Sequence, residues 1–294
     1  MIYNLGSINA DHVYRLARLP APGETVAAES YSLGLGGKGA NQSVAIAKSG
    51  GKVRHIGAVG GDGRWMVERL EEAGVDCTPV LQLEAASGHA IITVDAAGEN
   101  AIVIHAGANR AIAEDHVKQA LAEAGPGDAL ILQNETGLQV ETARLAQEQG
   151  LFVVYSAAPF EAEAARAVLP YLSLLIVNEL EAAQLCAALG ITLDALEVEN
   201  VLVTLGARGA VWHDLARGHE IRVPGFAVEA VDTTGAGDTY AGYLLAGLSE
   251  GLAVDEAMRV AAAAAALQVT RPGAAEAIPT GAEVAEFLAA QPSA

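Results

Sequence analysis

Leu174-Leu175-Ile176-Val177-Asn178-Glu179-Leu180-Glu181-Ala182 begins with four apolar residues, ends that run on an asparagine, and passes without a linker into a helical pattern reaching Leu189. A short unbroken apolar run has no polar face to turn to water, so it reads as a strand buried on both sides. The same unit recurs along the chain. Strand patterns fall at residues 53–59, 129–133, 151–156, 174–178, 201–205 and 210–213, and helical patterns at 40–49, 64–73, 114–123, 140–149, 179–189, 239–248, 255–269 and 281–289. Apolar strands alternating with helices predict an α/β fold, a three-layer α/β/α arrangement around a mostly parallel sheet. The helix at 179–189 is just long enough to serve as a parallel crossover, and little chain is left between Leu189 and Asn200.

One region breaks the alternation. His89 to His105 reads as two strands around Asp95-Ala-Ala-Gly-Glu-Asn100, a hairpin pattern. Upstream, Asp11 to Leu35 contains Pro20, Pro22 and Gly23 and has no helical period. Together these segments predict a small antiparallel β lid, formed by residues of about 9–37 and 88–106 inserted in a single domain spanning 1–294.

Composition narrows the function classes. The 294 residues are 52% hydrophobic, enough for a large core, and carry a net charge of −19. Such a balance argues against nucleic acid or an anionic membrane as partner, since no counterion release is gained there. No apolar run of about 18 residues is present to span a bilayer. Met1 is followed by a strand pattern with no basic segment, so no signal peptide is expected. Cys77 and Cys186 form neither a CxxC nor a disulfide framework; they read as packing residues in a reducing, cytoplasmic setting. The seven histidines show no metal-ligand spacing, and His12 and His105 read as structural or lid residues.

Chemistry concentrates in Val231-Asp232-Thr233-Thr234-Gly235-Ala236-Gly237-Asp238-Thr239, where small residues lead into a helix beginning at Thr239. Small residues at a helix N-terminus let several N–H groups converge on one anion, assisted by the helix dipole. Asp238 at the edge of that hole is placed to accept a proton from an attacking hydroxyl, a pairing that suits phosphoryl transfer. A second cluster is Gly34-Leu-Gly36-Gly37-Lys38-Gly39-Ala40-Asn41-Gln42. It satisfies G-x-G-x-x-G, but the strand before it is short and no acidic residue ends a second strand at the required distance, so a dinucleotide site does not fit. No Gly-Lys-Ser/Thr follows, which excludes a Walker A loop. Lys38 and Asn41, one turn apart, present hydrogen-bonding groups together at a helix start. Asn9 and Asp11 alternate on an extended chain and face one way; an Asx turn accounts for them, and so does a site for polyol hydroxyls.

Stretches GSINADHVYRLARLPAPGETV (6–26), GGKGANQ (36–42), HAGAN (105–109), NELEA (178–182), TLGARG (204–209) and DTTGAGD (232–238) occur in this order over nearly the full length. In them the chain resembles the PfkB-type carbohydrate kinases. The resemblance implies ATP-dependent phosphorylation of a small sugar, D-ribose at its 5-hydroxyl in the branch towards which residues 9–11 and 105–109 point. It makes Asp238 the catalytic base, with Gly235, Ala236 and Gly237 as the anion hole. It places the sugar on Asn9, Asp11, Gly37, Lys38, Gly39, Asn41 and Glu135, capped by Ile92 and Ile104 from the lid, which leaves little room for a nucleobase. Asn178, Thr204, Leu205, Gly206, Arg208, Gly209, Gly237 and Ala262 would lie along the nucleotide, and Glu181 would act on Mg2+ through water. Asn178 is equally accounted for as a helix N-cap. Asp232, Thr234, Gln268, Arg271, Gly273 and Ala277 map onto loops that hold a monovalent cation, usually K+, mostly through backbone carbonyls. The resemblance also implies a homodimer joined through the lids, whose edge strands favour pairing. The chain departs from the family pattern at Ser156–Pro159, in a segment after Gly190 that is short by about one helix, and at Ala262, where a polar residue often stands near the purine.

Overall fold

The computed structural model describes residues 1–291. In chain order its elements are β1 (Ile2–Leu5), β2 (Asn9–Arg15), β3 (Ser30–Gly36), α1 (Lys38–Lys48), β4 (Val53–Val59), α2 (Arg64–Glu72), β5 (Val80–Gln82), β6 (Gly88–Val94), β7 (Asn100–His105), α3 (Glu114–Ala120), β8 (Ala129–Gln133), α4 (Gln139–Glu148), β9 (Phe152–Ser156), α5 (Ala162–Val168), β10 (Leu174–Asn178), α6 (Glu179–Leu189), β11 (Asn200–Thr204), β12 (Ala210–Asp214), β13 (His219–Val223), α7 (Ala236–Ser249), α8 (Val254–Gln268) and α9 (Gly281–Ala289). A nine-stranded sheet runs β13-β12-β11-β10-β9-β8-β1-β4-β5. It is parallel from β5 to β11 and turns antiparallel at β12 and β13.

The apolar strands are buried on both faces because successive residues enter different cores. Ala129 and Ile131 of β8 pack with α1, α7 and α8, whereas Leu130 and Leu132 pack with residues of α3 to α6. Strand β10 divides likewise, Leu174 and Ile176 to one side, Leu175 and Val177 to the other. The three-layer architecture follows directly. Elements β5, β13 and α5 have no counterpart among the sequence-predicted ones: β5 is three residues long, and β13 alternates charged with apolar residues. Between α6 and β11 only a single 3-10 turn, Leu193–Ala195, intervenes.

A second sheet of four strands, β3-β2-β6-β7, is built from two antiparallel ribbons, β2–β3 and β6–β7, which meet through the parallel pair β2/β6. Asp11 stands opposite Gly34 on one side and Ala90 on the other, and Ala90 opposite Ile104, so these share one face; Asn9 and Ile92 lie on it too. The opposite face carries Tyr31, Leu33 and Val103, exposed by 52%, 46% and 69%.

Small residues set how closely the helices approach. A Cβ on Gly242 of α7 would lie 2.5 Å from the Ala45 methyl and 2.8 Å from the Gln42 carbonyl oxygen of α1. That contact, one turn beyond Asp238, brings the start of α1 against the start of α7.

Candidate active site

The site lies at the C-terminal ends of the parallel strands, where open α/β sheets bind ligands. Helix α7 begins at Ala236 rather than Thr239, with Gly235 as N-cap at φ 76°. Left-handed backbone of this kind favours glycine. Ala236, Gly237 and Asp238 therefore form the first helical turn. Among the described residues the amides of Gly237 and Asp238 have no protein acceptor, and free first-turn amides are what an anion at a helix N-terminus uses.

Asp238 is 6% exposed and held by two side chains from α1. Gln42 Nε2 donates to Oδ1 at 2.9 Å, and Asn41 Nδ2 donates to Oδ2 at 3.2 Å. Lys38 sits close by. The Asp238 carboxylate, then those of Glu135 and Glu181, hold its ammonium above its ordinary value against the opposing effect of burial. The Lys38 amide donates to Glu135 Oε2 at 3.0 Å, and the same oxygen accepts from the Ser7 hydroxyl.

Close backbone approach assembles the cradle beneath the small sheet. Gly37 has φ 91°, and a Cβ there would meet the Ser7 carbonyl oxygen at 2.9 Å. A Cβ on Gly36 would run into the Asp11 carboxylate, and one on Gly39 into Gly6. Burial first, then Glu135 and Glu276, push the Asp11 carboxyl up to about 7. Asn109 fixes its neighbour: its Nδ2 donates to Asn9 Oδ1 at 2.8 Å, while its Oδ1 accepts from the Ile8 amide at 2.9 Å. Asn9, Asp11, Gly37, Lys38, Asn41 and Glu135 thus converge, with Ile92 and Ile104 on the overhanging face.

On the other side of the α7 N-terminus lies a cavity of about 460 Å³, whose lining includes Thr204, Gly206, Gly209, Gly237 and Ala262. Leu205 and Arg208 do not line it. They face an adjoining groove, where the Arg208 guanidinium pairs with Glu179 at 2.6 Å. Asn178 caps α6: its Oδ1 accepts from the Glu181 amide at 2.8 Å, and Glu181 Oε2 accepts from the Asn178 amide at 2.8 Å. Around the short 3-10 turn at Gly206–Arg208, Gly206, Ala207 and Gly209 line the cavity, while Leu205 and Arg208, three residues apart, turn to the groove. A larger hollow, about 840 Å³, opens beside Asp128, Phe152 and Trp212 at the N-terminal ends of the strands. Size does not select it, since the convergent polar groups stand at the other end.

Among the described residues no three His, Cys, Asp or Glu side chains gather as a metal group. Asp232 ties two loops, accepting from the Thr234 amide at 2.9 Å and the Gly273 amide at 3.0 Å. Gln268 Nε2 donates to the Thr234 carbonyl at 2.7 Å, and its buried Oε1 has no partner. The Arg271 guanidinium turns away to Glu283 at 2.7 Å. Ala277 follows on a short turn.

Several groups in this geometry carried no role in the sequence reading. Gln42 was visible within GGKGANQ and Asn109 within HAGAN, but their partners lie 196 and 100 residues away. Glu276 is placed by its contact with the Leu35 amide, at 3.3 Å. No local pattern marks that contact.

A family model for the pfkB family carbohydrate kinases matches residues 1–281, and the chain belongs to this family. It is 38% identical over 299 residues to a ribokinase of Haemophilus influenzae, covering 97% of each chain. It is 31% identical to a deoxyribokinase of Salmonella typhi, again over 97% of each. The solved ribokinase of Arabidopsis thaliana, complexed with ribose and ATP, superposes with a TM-score of 0.85 at 29% identity, over 98% of each chain.

Proposed function

We propose that this chain transfers the γ-phosphoryl group of ATP to the 5-hydroxyl of D-ribose. The observation that carries the reading is Asp238, buried at the N-terminus of α7 between a polar cradle and the 460 Å³ cavity. Names of relatives at up to 38% identity support ribose as the sugar.

In this reading the sugar lies on Asn9, Asp11, Gly37, Lys38, Gly39, Asn41 and Glu135, and the nucleotide beside Thr204, Gly206, Gly209 and Ala262. Asp238 takes the proton from the 5-hydroxyl as its oxygen bonds to phosphorus and ADP leaves. The Gly235–Ala236–Gly237 turn and the Asp238 amide meet the transferring oxygens, with Lys38 beside them. Closure of the four-stranded sheet excludes water, the competing acceptor.

The residues fit Mg2+ held mainly by phosphates and water, since a single nearby carboxylate, Glu181, has one oxygen left free by its cap. Mg2+ would supply charge neutralisation on the phosphates. A monovalent cation, K+ by preference, fits between Asp232, Thr234, Gln268, Arg271, Gly273 and Ala277. The unpartnered Gln268 oxygen supports that site. The exposed Tyr31, Leu33 and Val103 support a homodimer through the lids. The net charge of −19 and the two free cysteines are in keeping with a cytoplasmic enzyme that binds neither nucleic acid nor membrane.

The test is coupled ADP release with ribose, 2-deoxyribose and a set of nucleosides, with Mg2+ and with or without K+. Turnover with ribose, abolished by Asp238→Asn in a folded protein, is the expected result. The deoxyribokinase relative favours 2-deoxyribose as the second reading, and a higher kcat/KM for that sugar would establish it.

A further inference from the structure

Behind Asp238 a continuous line of buried side chains runs away from the site. Gln42 Oε1 accepts from Gln133 Nε2 at 2.7 Å, and the same Nε2 donates to Asn4 Oδ1 at 2.9 Å. Asn4 Nδ2 donates to the Gly39 carbonyl and to Ser43 Oγ, both at 2.8 Å. Ser43 Oγ lies 2.8 Å from His55 Nδ1, and His55 Nε2 lies 3.1 Å from the Gly6 carbonyl. All five side chains, Asn4, Gln42, Ser43, His55 and Gln133, are fully buried. None reaches the cradle or the cavity.

The proton positions along this line follow from its two ends, each of which only accepts. The Gly6 carbonyl requires a hydrogen on His55 Nε2. Burial lowers the imidazole to about 4, so the ring is neutral at pH 7 and its Nδ1 accepts from Ser43. Ser43 Oγ then takes its second bond from Asn4, whose amide nitrogen also serves Gly39. That leaves Asn4 Oδ1 to accept from Gln133. The second hydrogen of Gln133 Nε2 meets Gln42 Oε1, so Gln42 must present N–H, not C=O, to Asp238. A flipped Gln42 would set nitrogen against nitrogen and oxygen against carboxylate, two unfavourable contacts in a dry interior.

We propose that this line is a positioning device for the base: the Gly6 carbonyl sets the His55 tautomer, and the relay through Ser43, Asn4 and Gln133 locks the Gln42 amide as a donor to Asp238 Oδ1. The inference rests on Asp238 being the base. Gln42 and the residues behind it are positioning residues, because they act only through that carboxylate. Orienting a reacting group affects the transition state more than ground-state binding, so its loss falls on kcat.

Gln42→Met keeps length and removes the charge-assisted bond; kcat should fall about 10- to 100-fold with KM for sugar and ATP changed less than about threefold. Gln133→Met, one step further back, should lower kcat about three- to tenfold, because Gln42 Oε1 loses the donor that holds it and the amide can shift off Asp238 Oδ1. Each variant is checked for an unchanged circular dichroism spectrum, and turnover is reported per folded enzyme. In the wild type, 15N NMR at pH 7 should show His55 as the neutral Nε2–H tautomer, a measurement that needs no variant. An Nδ1–H tautomer, or a folded Gln133→Met with wild-type kcat, overturns the relay even if Asp238→Asn is inactive. Turnover surviving in Asp238→Asn overturns the base itself, and the relay with it.

Discussion

Asp11→Asn separates what the cradle does for the sugar from what it does to the empty protein. The Asp11 carboxyl is pushed from 3.8 to about 7 by burial and by Glu135 and Glu276. A folded-state value above the unfolded one means that the group's stabilising contribution is complete below 3.8 and lost as pH rises through about 7. At ~1.36 kcal/mol per pH unit, the interval of about three units corresponds to ~4 kcal/mol. Asparagine keeps the shape and does not titrate. The difference in unfolding free energy, variant minus wild type, should therefore grow by ~3 kcal/mol in favour of the variant between pH 5 and pH 8. His55, lowered to about 4, titrates in the opposite sense but is common to both proteins and cancels. The assay is urea denaturation at four pH values without ligand. Parallel pH profiles for the two proteins would refute the argument. If the sugar lies on Asp11 as proposed, the same variant should raise the sugar KM at pH 8, since a carboxylate accepts through two oxygens and an amide through one. Strain at a functional carboxylate and a gain in stability on its removal are then one phenomenon measured twice.

Asp238→Asn should cost about 10²- to 10⁴-fold in turnover with the fold intact, read by coupled ADP release. Gly242→Ala places a methyl 2.5 Å from Ala45 and should destabilise the protein by ~1–3 kcal/mol in urea melts. It should also lower kcat, because prising α1 from α7 draws Asn41 and Gln42 away from Asp238. Val103→Lys, on the exposed lid face, should give a monomeric mass in light scattering at micromolar concentration where the wild type is dimeric; a wild-type monomer under the same conditions removes the lid interface.

The fold was legible because burial on both faces leaves an unbroken apolar run. Residues 129–132 and 174–177 are apolar without interruption, and the structure sends alternate members to separate cores. The edge strand β13 left no such trace, since His219, Glu220 and Arg222 face water. In the site, Gly235 to Asp238 announced a turn into a helix, although helix onset was misplaced by three residues because glycine and alanine carry no apolar period. What sequence could not supply was side-chain direction. Arg208 and Gly209 are adjacent, yet one pairs with Glu179 on the outside while the other lines the cavity. Contacts across the fold, Gln42 with Gln133 and Leu35 with Glu276, are set by helix approach and strand order, and neither is written in a local motif.

Charge presents the remaining tension. A chain of −19 with Asp11, Glu135, Glu181, Asp238 and Glu276 around its site should repel a polyphosphate. Screening removes most of the remote charges, because at physiological salt the field of an exposed carboxylate fades over about 8 Å. The near carboxylates are not screened in this way, and they are what keep Lys38 protonated despite its burial. One ammonium and the free amides at the start of α7 thus carry positive potential to a single point, while Asp11, Glu135 and Glu276 remain at the cradle and Glu181 alone stands where the proposed Mg2+ would meet it. A neutral sugar tolerates carboxylates as hydrogen-bond acceptors, and a phosphate does not. In the proposed reaction the same helix N-terminus divides the two environments, with Asp238 on the boundary where the hydroxyl would lose its proton and gain phosphorus.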